Sequence, residues 1–202
     1  IDGYTRVCGV MGCPVEHTMS PAIHNTLAGS LGENLVYVPF HVPPGHAGEA
    51  VRGAYALNLL GVNVTVPYKS EVIPFLQEID PLAQTIGAVN TLVRAQGGFK
   101  GYNTDMPGLY RAMCEDGVKI GGERVAILGA GGVARAVAIL AAEKKAERIV
   151  ILNRTREKAE RIAREVNGLA EGQPAVALAL EEFASLPGEG YLAIQATNVG
   201  MF

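Results

Sequence analysis

A glycine-rich turn, an arginine-bearing segment beyond it, one lysine and one aspartate are the residues of this chain whose types and spacing can combine into one reaction. Gly129, Ala130, Gly131 and Gly132 follow a short apolar run at 124–129 that reads as a buried strand. They precede an apolar helical pattern at 133–142, and a second strand-like run stands at 148–152. A diphosphate needs backbone N–H groups aimed at it from a helix N-terminus, and side chains at the turn would hold it away, so glycines there suit a dinucleotide. Ala134 fills the third fingerprint position, an accepted variant where helix and strand pack closely. The glycines read equally as a structural turn, but their place between a strand and a helix favours the cofactor.

A site that prefers NAD carries Asp or Glu about 20 residues further on, where it accepts from the ribose 2′-hydroxyl. Here that region reads Asn153-Arg154-Thr155-Arg156. A carboxylate repels a 2′-phosphate, whereas a guanidinium holds it through charge-assisted hydrogen bonds, so the expected cofactor is NADP. The alternative is that both arginines are solvated residues opening a helix over 157–166, with Thr155 as its N-cap.

A nicotinamide cofactor implies hydride transfer, and taking hydride from a secondary alcohol leaves a hydroxyl proton to be moved by an ionisable side chain. Lys69 is a candidate, and Asp105 in Asn103-Thr104-Asp105 can orient it and accept from a substrate hydroxyl. Burial lowers a lysine pKa and a neighbouring carboxylate raises it, so sequence leaves the balance open. Without further context, a lysine after a strand reads as a solvated surface charge, and Asp105 as a cap for a helix beginning near Pro107.

The elements that must position these residues follow from periodicity. Strands are expected at 6–11, 37–42 and 62–66, with a hairpin of 88–94 and 99–102 around Gln96-Gly97-Gly98. Ser20 is the expected N-cap of a helix with Pro21 at its first position. Ile23, Leu27 and Leu31 form its apolar face, and Gly32 its stop. Further helices are expected at 46–60 and near 70–79. The domain boundary is expected after 102, giving domains 1–102 and 103–202.

The chain has 202 residues, 49% hydrophobic and 18% charged, enough for two modest α/β domains rather than a disordered segment. Its net charge of −3, from 17 basic and 20 acidic residues, supplies no footprint for nucleic acid or anionic lipid, so the expected partners are small molecules. No apolar run approaches the ~18 residues of a membrane span. Cys8, Cys13 and Cys114 form no disulfide framework and no metal-type spacing, and His17 and His24 lack a third ligand. Reduced thiols point to the cytoplasm, although the chain opens on Ile1, which leaves room for a preceding segment.

Several segments together resemble the shikimate dehydrogenase family. They are His17-Thr18-Met19-Ser20-Pro21 with His24-Asn25, Asn63-Val-Thr65-Val-Pro67-Tyr-Lys69, Ile86-Gly-Ala-Val-Asn90-Thr91 and Gly101-Tyr-Asn-Thr-Asp105 in the first half. Gly129 to Arg135, Asn153-Arg154-Thr155 and Ala196-Thr197-Asn198-Val199-Gly200-Met201 follow in the family's order. The resemblance implies Lys69 and Asp105 as the catalytic pair, Thr18 and Ser20 on a substrate carboxylate, and Thr65 and Asn90 on ring hydroxyls. It also implies Thr197 near the nicotinamide end of NADP.

The expected architecture is therefore α/β, an N-terminal substrate domain followed by a Rossmann-type NADP-binding domain, with the active site between them in a monomer or homodimer. The expected reaction is reduction of 3-dehydroshikimate by NADPH. A quinate/shikimate dehydrogenase of broader range and a non-catalytic NADP- or shikimate-binding regulator are the alternatives. Family members usually carry serine where this chain has Thr18, which leaves the choice between shikimate and quinate open. They also continue through a stretch that completes the cofactor sheet and supplies a glutamine to the substrate, so an incomplete sheet is expected here.

Overall fold

The computed structural model describes residues 1–186, 190–197 and 199. The chain divides into two compact units, Ile1–Asp105 and Met106–Phe202, so Asn103, Thr104 and Asp105 belong with the first unit rather than beyond the expected boundary.

In the first unit β1 (Arg6–Gly12), α1 (Ser20–Leu31), β2 (Leu35–His41), α2 (Ala47–Ala56) and β3 (Gly61–Val64) alternate. β4 (Glu78–Ile79), α3 (Pro81–Ile86), β5 (Thr91–Ala95) and β6 (Gly98–Tyr102) follow. The strands form one sheet in the order β2-β1-β3-β5-β6-β4. β1 runs parallel to β2 and β3, while β5 is antiparallel to β3 and closes the expected hairpin with β6. Met11, Val62, Val64, Leu92 and Phe99 from the strands pack with Val51 of α2 and with Tyr68 and Val72. Tyr68 is fully buried, and its hydroxyl donates to the Val42 carbonyl at 2.7 Å, which supplies the partner a buried phenol requires.

Two local expectations change, and one helix was not expected. Ile23, Leu27 and Leu31 share a helix face as expected, yet they are 54%, 52% and 76% exposed. Four-residue spacing identifies a face but not its orientation, and α1 instead meets the sheet through Ala28, the His24 ring stacked on Tyr37, and Asn25, which hydrogen-bonds the Tyr37 backbone. The helix expected near 70–79 is only a 3-10 turn, Ile73–Phe75, followed by β4. Pro74 lacks the N–H that a longer helix needs and its ring crowds the preceding turn. α3 was not signalled by periodicity; Asp80 starts it by accepting from the Leu82 and Ala83 amides at 3.0 and 3.5 Å.

The second unit contains most of α4 (Asp105–Glu115), then β7 (Arg124–Leu128), α5 (Gly132–Glu143), β8 (Arg148–Asn153), α6 (Arg156–Leu169), β9 (Ala175–Ala179) and β10 (Tyr191–Gln195). All four strands are parallel, in the order β10-β7-β8-β9. The interiors of β7 and β8 are buried at every position, as in parallel strands covered on both faces. α6 buries Ala159, Ile162, Ala163 and Val166, one helical stripe. The chain builds outward from β7 to β9 and then returns to β10 on the other side of β7. Loops at the carboxyl ends of β7 and β10 therefore diverge, and a crevice opens there. Among the described residues no helix is long and apolar enough to cross a membrane.

Candidate active site

Two groups of residues in the first unit come together from well-separated positions. Lys69 lies beyond β3 and Asp105 opens α4, and the Lys69 ammonium meets Asp105 Oδ2 at 2.7 Å. The pair is 35% and 40% exposed at the side chains, so it stands at the surface of the unit rather than in its core. Asn90 holds the other carboxylate oxygen, with Nδ2 donating to Asp105 Oδ1 at 2.7 Å. Asn90 is itself only 8% exposed and is fixed from three sides. Its Oδ1 accepts from the Thr104 amide, the Thr104 hydroxyl and the Thr91 hydroxyl. Asn103 Oδ1 accepts from the Asp105 amide at 3.1 Å, which sets the start of α4.

The loop after β1 brings Thr18 and Ser20 side by side. The Thr18 hydroxyl donates to Ser20 Oγ at 3.2 Å and accepts from the Ser20 amide at 3.3 Å. Ser20 is not the N-cap; Met19 occupies that position and Ser20 is the first helical residue, so its hydroxyl is not spent on capping. Thr65, past the end of β3, has no hydrogen bond from its hydroxyl among the described residues, and a Cβ on Gly12 would lie 2.4 Å from Thr65 Cγ2. The end of β1, from which the Thr18–Ser20 loop leaves, therefore lies against Thr65.

Sequence reasoning did not single out Tyr37 or Asn63 as site residues. The Tyr37 hydroxyl donates to Asn63 Oδ1 at 2.7 Å, and Asn63 Nδ2 donates to the Thr91 hydroxyl at 3.2 Å. Burial pushes the Tyr37 phenol up to about 12, against a smaller downward pull from the Ser20 hydroxyl.

In the second unit a cavity of about 500 Å³ opens at the crevice where the strand order reverses. Leu128 to Gly131 line it from the end of β7, Asn153, Arg154 and Thr155 from the end of β8, and Gln195 to Thr197 from the end of β10. Gly132 is instead the first residue of α5. A Cβ added at Gly131 or Gly132 would meet nothing, so the missing side chains leave open space at the N-terminus of a 12-residue helix, as a diphosphate requires. Thr155 sits at the N-cap position of α6 but makes no capping hydrogen bond through its side chain. Arg154 is exposed at the cavity and makes no ion pair among the described residues, whereas Arg156 is engaged by Glu160 and Glu182. The residue set thus fits a phosphorylated dinucleotide. Thr197 accepts from the Val199 amide at 3.2 Å beside the cavity; Asn198, Gly200 and Met201 lie outside the described residues.

Residues 10–92 match the model of the shikimate dehydrogenase substrate binding domain, and 113–198 that of shikimate / quinate 5-dehydrogenase. A shikimate dehydrogenase (NADP(+)) of Halothermothrix orenii is 46% identical over 204 aligned positions, which cover 99% of this chain and 70% of that protein. The chain belongs to the shikimate dehydrogenase family. The corresponding enzyme of Desulforamulus reducens is 49% identical over 82% of this chain and 57% of its own length, so the chain spans a little over half of that relative. A shikimate 5-dehydrogenase of Listeria monocytogenes, solved with shikimate and NAD, superposes with a TM-score of 0.92 at 35% identity, over all of this chain and 71% of that one.

The structure adds Lys158, which lines the cavity with the residues already named. Lys158 lies one turn into α6, and only the cavity wall distinguishes it from any other exposed helix lysine. Gly129 has a φ of +120°, and a Cβ there would stand 2.8 Å from the Ala196 carbonyl. Gly129→Ala is therefore expected to destabilise the second unit by about 1–3 kcal/mol and to weaken cofactor binding with it, read as a lower Tm and a higher NADP Kd. An unchanged Tm would show that the turn relaxes.

Proposed function

We propose that the protein is an NADP-dependent shikimate dehydrogenase, reducing 3-dehydroshikimate to shikimate reversibly, in the cytoplasm, on the route to aromatic amino acids. The observation that carries this reading is the Lys69–Asp105 pair at 2.7 Å, braced by Asn90, whose Oδ1 also accepts from the Thr91 and Thr104 hydroxyls. A partly exposed ion pair contributes at most about 1 kcal/mol to a fold, so the bracing around this one is better explained by chemistry than by stability. Neutral hydroxyl and amide groups suit a polyhydroxylated ring, because a substrate lacking one hydroxyl would strand a polar partner.

The nicotinamide supplies or accepts the hydride when bound. In the reducing direction the carbonyl oxygen of the acid gains negative charge, and the Lys69 ammonium donates a proton to it. In the oxidising direction the same nitrogen, as free amine, takes the hydroxyl proton. Asp105 keeps Lys69 aimed and accepts from a neighbouring ring hydroxyl, while Thr18 and Ser20 donate to the carboxylate. Arg154, Thr155 and Lys158 meet the 2′-phosphate, which supports NADP over NAD; the relatives from Halothermothrix orenii and Desulforamulus reducens are called NADP(+) enzymes.

The test is absorbance at the reduced-nicotinamide band with the full-length enzyme, shikimate or quinate, and each oxidised cofactor. Turnover with shikimate and NADP well above the other three combinations is expected. Cofactor binding without turnover of either acid would replace the enzyme by a binding protein, and equal rates with both acids would make it a quinate/shikimate dehydrogenase.

A further inference from the structure

We propose that Tyr37 is a positioning residue for the reaction: its phenol, acting through Asn63, sets which way the Thr91 hydroxyl donates, and so completes the set of donors on Asn90 Oδ1 beside Asp105. The inference rests on the reading of the first unit as the site for a hydroxylated cyclic acid.

The chain runs through residues of β2 and β3 and of the starts of β5 and α4. Tyr37 donates to Asn63 Oδ1 at 2.7 Å, Asn63 Nδ2 to Thr91 Oγ1 at 3.2 Å, Thr91 Oγ1 to Asn90 Oδ1 at 3.0 Å, and Asn90 Nδ2 to Asp105 Oδ1 at 2.7 Å. Every donor points the same way, from phenol to carboxylate, and hydrogen bonds aligned in one sense polarise one another favourably. Asn90 is pinned in this sense by the Thr104 amide, which can only donate, but Thr91 and Asn63 are reversible: a hydroxyl can rotate, and an amide held otherwise only by a 3.4 Å bond to the Asn90 carbonyl can turn over. Their direction must therefore be imposed from the two ends of this stretch. Asn90 Oδ1 accepts at one end, and Tyr37 donates at the other.

Tyr37 is built to hold that end. It is 3% exposed, its ring is stacked on His24 with centroids 4.3 Å apart and planes 12° apart, and Asn25 bonds both its amide and its carbonyl. Burial keeps the phenol protonated, and so a donor, throughout the neutral and mildly alkaline range. With phenylalanine at 37, Asn63 Oδ1 loses its donor and the amide is free to turn toward Thr91. The Thr91 hydroxyl then donates to Asn63 in place of Asn90, and Asn90 Oδ1 beside Asp105 keeps only its two Thr104 donors when substrate arrives.

Steady-state kinetics on the full-length enzyme test this. Tyr37→Phe is expected to raise KM for shikimate about tenfold, the size of one lost net hydrogen bond, with kcat within about threefold and KM for NADP unchanged. Asn63→Ala breaks the same chain one link on and is expected to raise KM by a similar factor, and the double variant by no more than Asn63→Ala alone. Unchanged KM in Tyr37→Phe, factors that multiply in the double variant, or a fall in kcat and Tm with KM intact would each overturn the proposal, the last by reducing Tyr37 to a structural role. If Tyr37→Phe does not fold, Asn63→Ala decides alone, and an unchanged KM there is overturning. A wild-type enzyme that turns over no shikimate overturns the underlying functional reading instead, so the two failures are distinct.

Discussion

Lys69→Ala is expected to lower kcat by about three decades, with the NADP dissociation constant within about twofold of wild type. A positioned general acid contributes about 10²–10⁴ in rate, and no other described ammonium shares hydrogen bonds with Asp105. Three decades correspond to about 4 kcal/mol of transition-state stabilisation. The fold should tolerate the change, because Lys69 is partly exposed and its backbone carbonyl, which accepts from the Val89 amide at 2.7 Å, is retained by alanine. Cofactor binding should survive because every residue lining the cofactor cavity belongs to the second unit. Stopped-flow or steady-state turnover with shikimate, beside a fluorescence titration of NADPH, reads both quantities. A kcat within threefold of wild type would remove Lys69 from the chemistry.

Arg154→Ala should cost about 10- to 100-fold in NADP affinity while leaving NAD affinity nearly unchanged. The magnitude is that of one charge-assisted hydrogen bond to a phosphate, about 1.5–3 kcal/mol. Arg154 makes no ion pair among the described residues, so its removal strands no carboxylate, in contrast to Arg156, whose loss would release Glu160 and Glu182. Lys158 on the next turn keeps part of the positive potential, so the double variant Arg154→Ala/Lys158→Ala should fall further. Because both cations are exposed, the NADP preference should also narrow as salt is raised. An equal loss for both cofactors would point to damage of the turn rather than to 2′-phosphate recognition.

Legibility of the fold followed contiguity. The strand, glycine turn, helix and strand from β7 to β8 were readable because their meaning lies within one stretch of sequence. So was the β5–β6 hairpin, whose turn carries Gly97 at a φ of +84°. β9 and β10 were not signalled, since alanine-rich or mixed runs such as Ala175–Ala179 lack β-branched patterning and become strands by adding to an existing edge. On α1 the spacing of Ile23, Leu27 and Leu31 was real but pointed outward, because side chains at His24, Asn25 and Ala28 had better partners on β2.

The sequence by itself determined the family, the order of the two units, the glycine cradle and the basic NRT segment, because each is a local pattern whose physical requirement is met by neighbours in the chain. Only the tertiary structure decided how the chemistry is assembled. Lys69 and Asp105 are 36 positions apart, and Tyr37 and Asn63 are 26 apart. Strand register and the start of α4 bring these pairs to hydrogen-bonding distance. Register is a property of the whole sheet, and the polar groups it aligns acquire their partners, and their direction of donation, only when that sheet has closed.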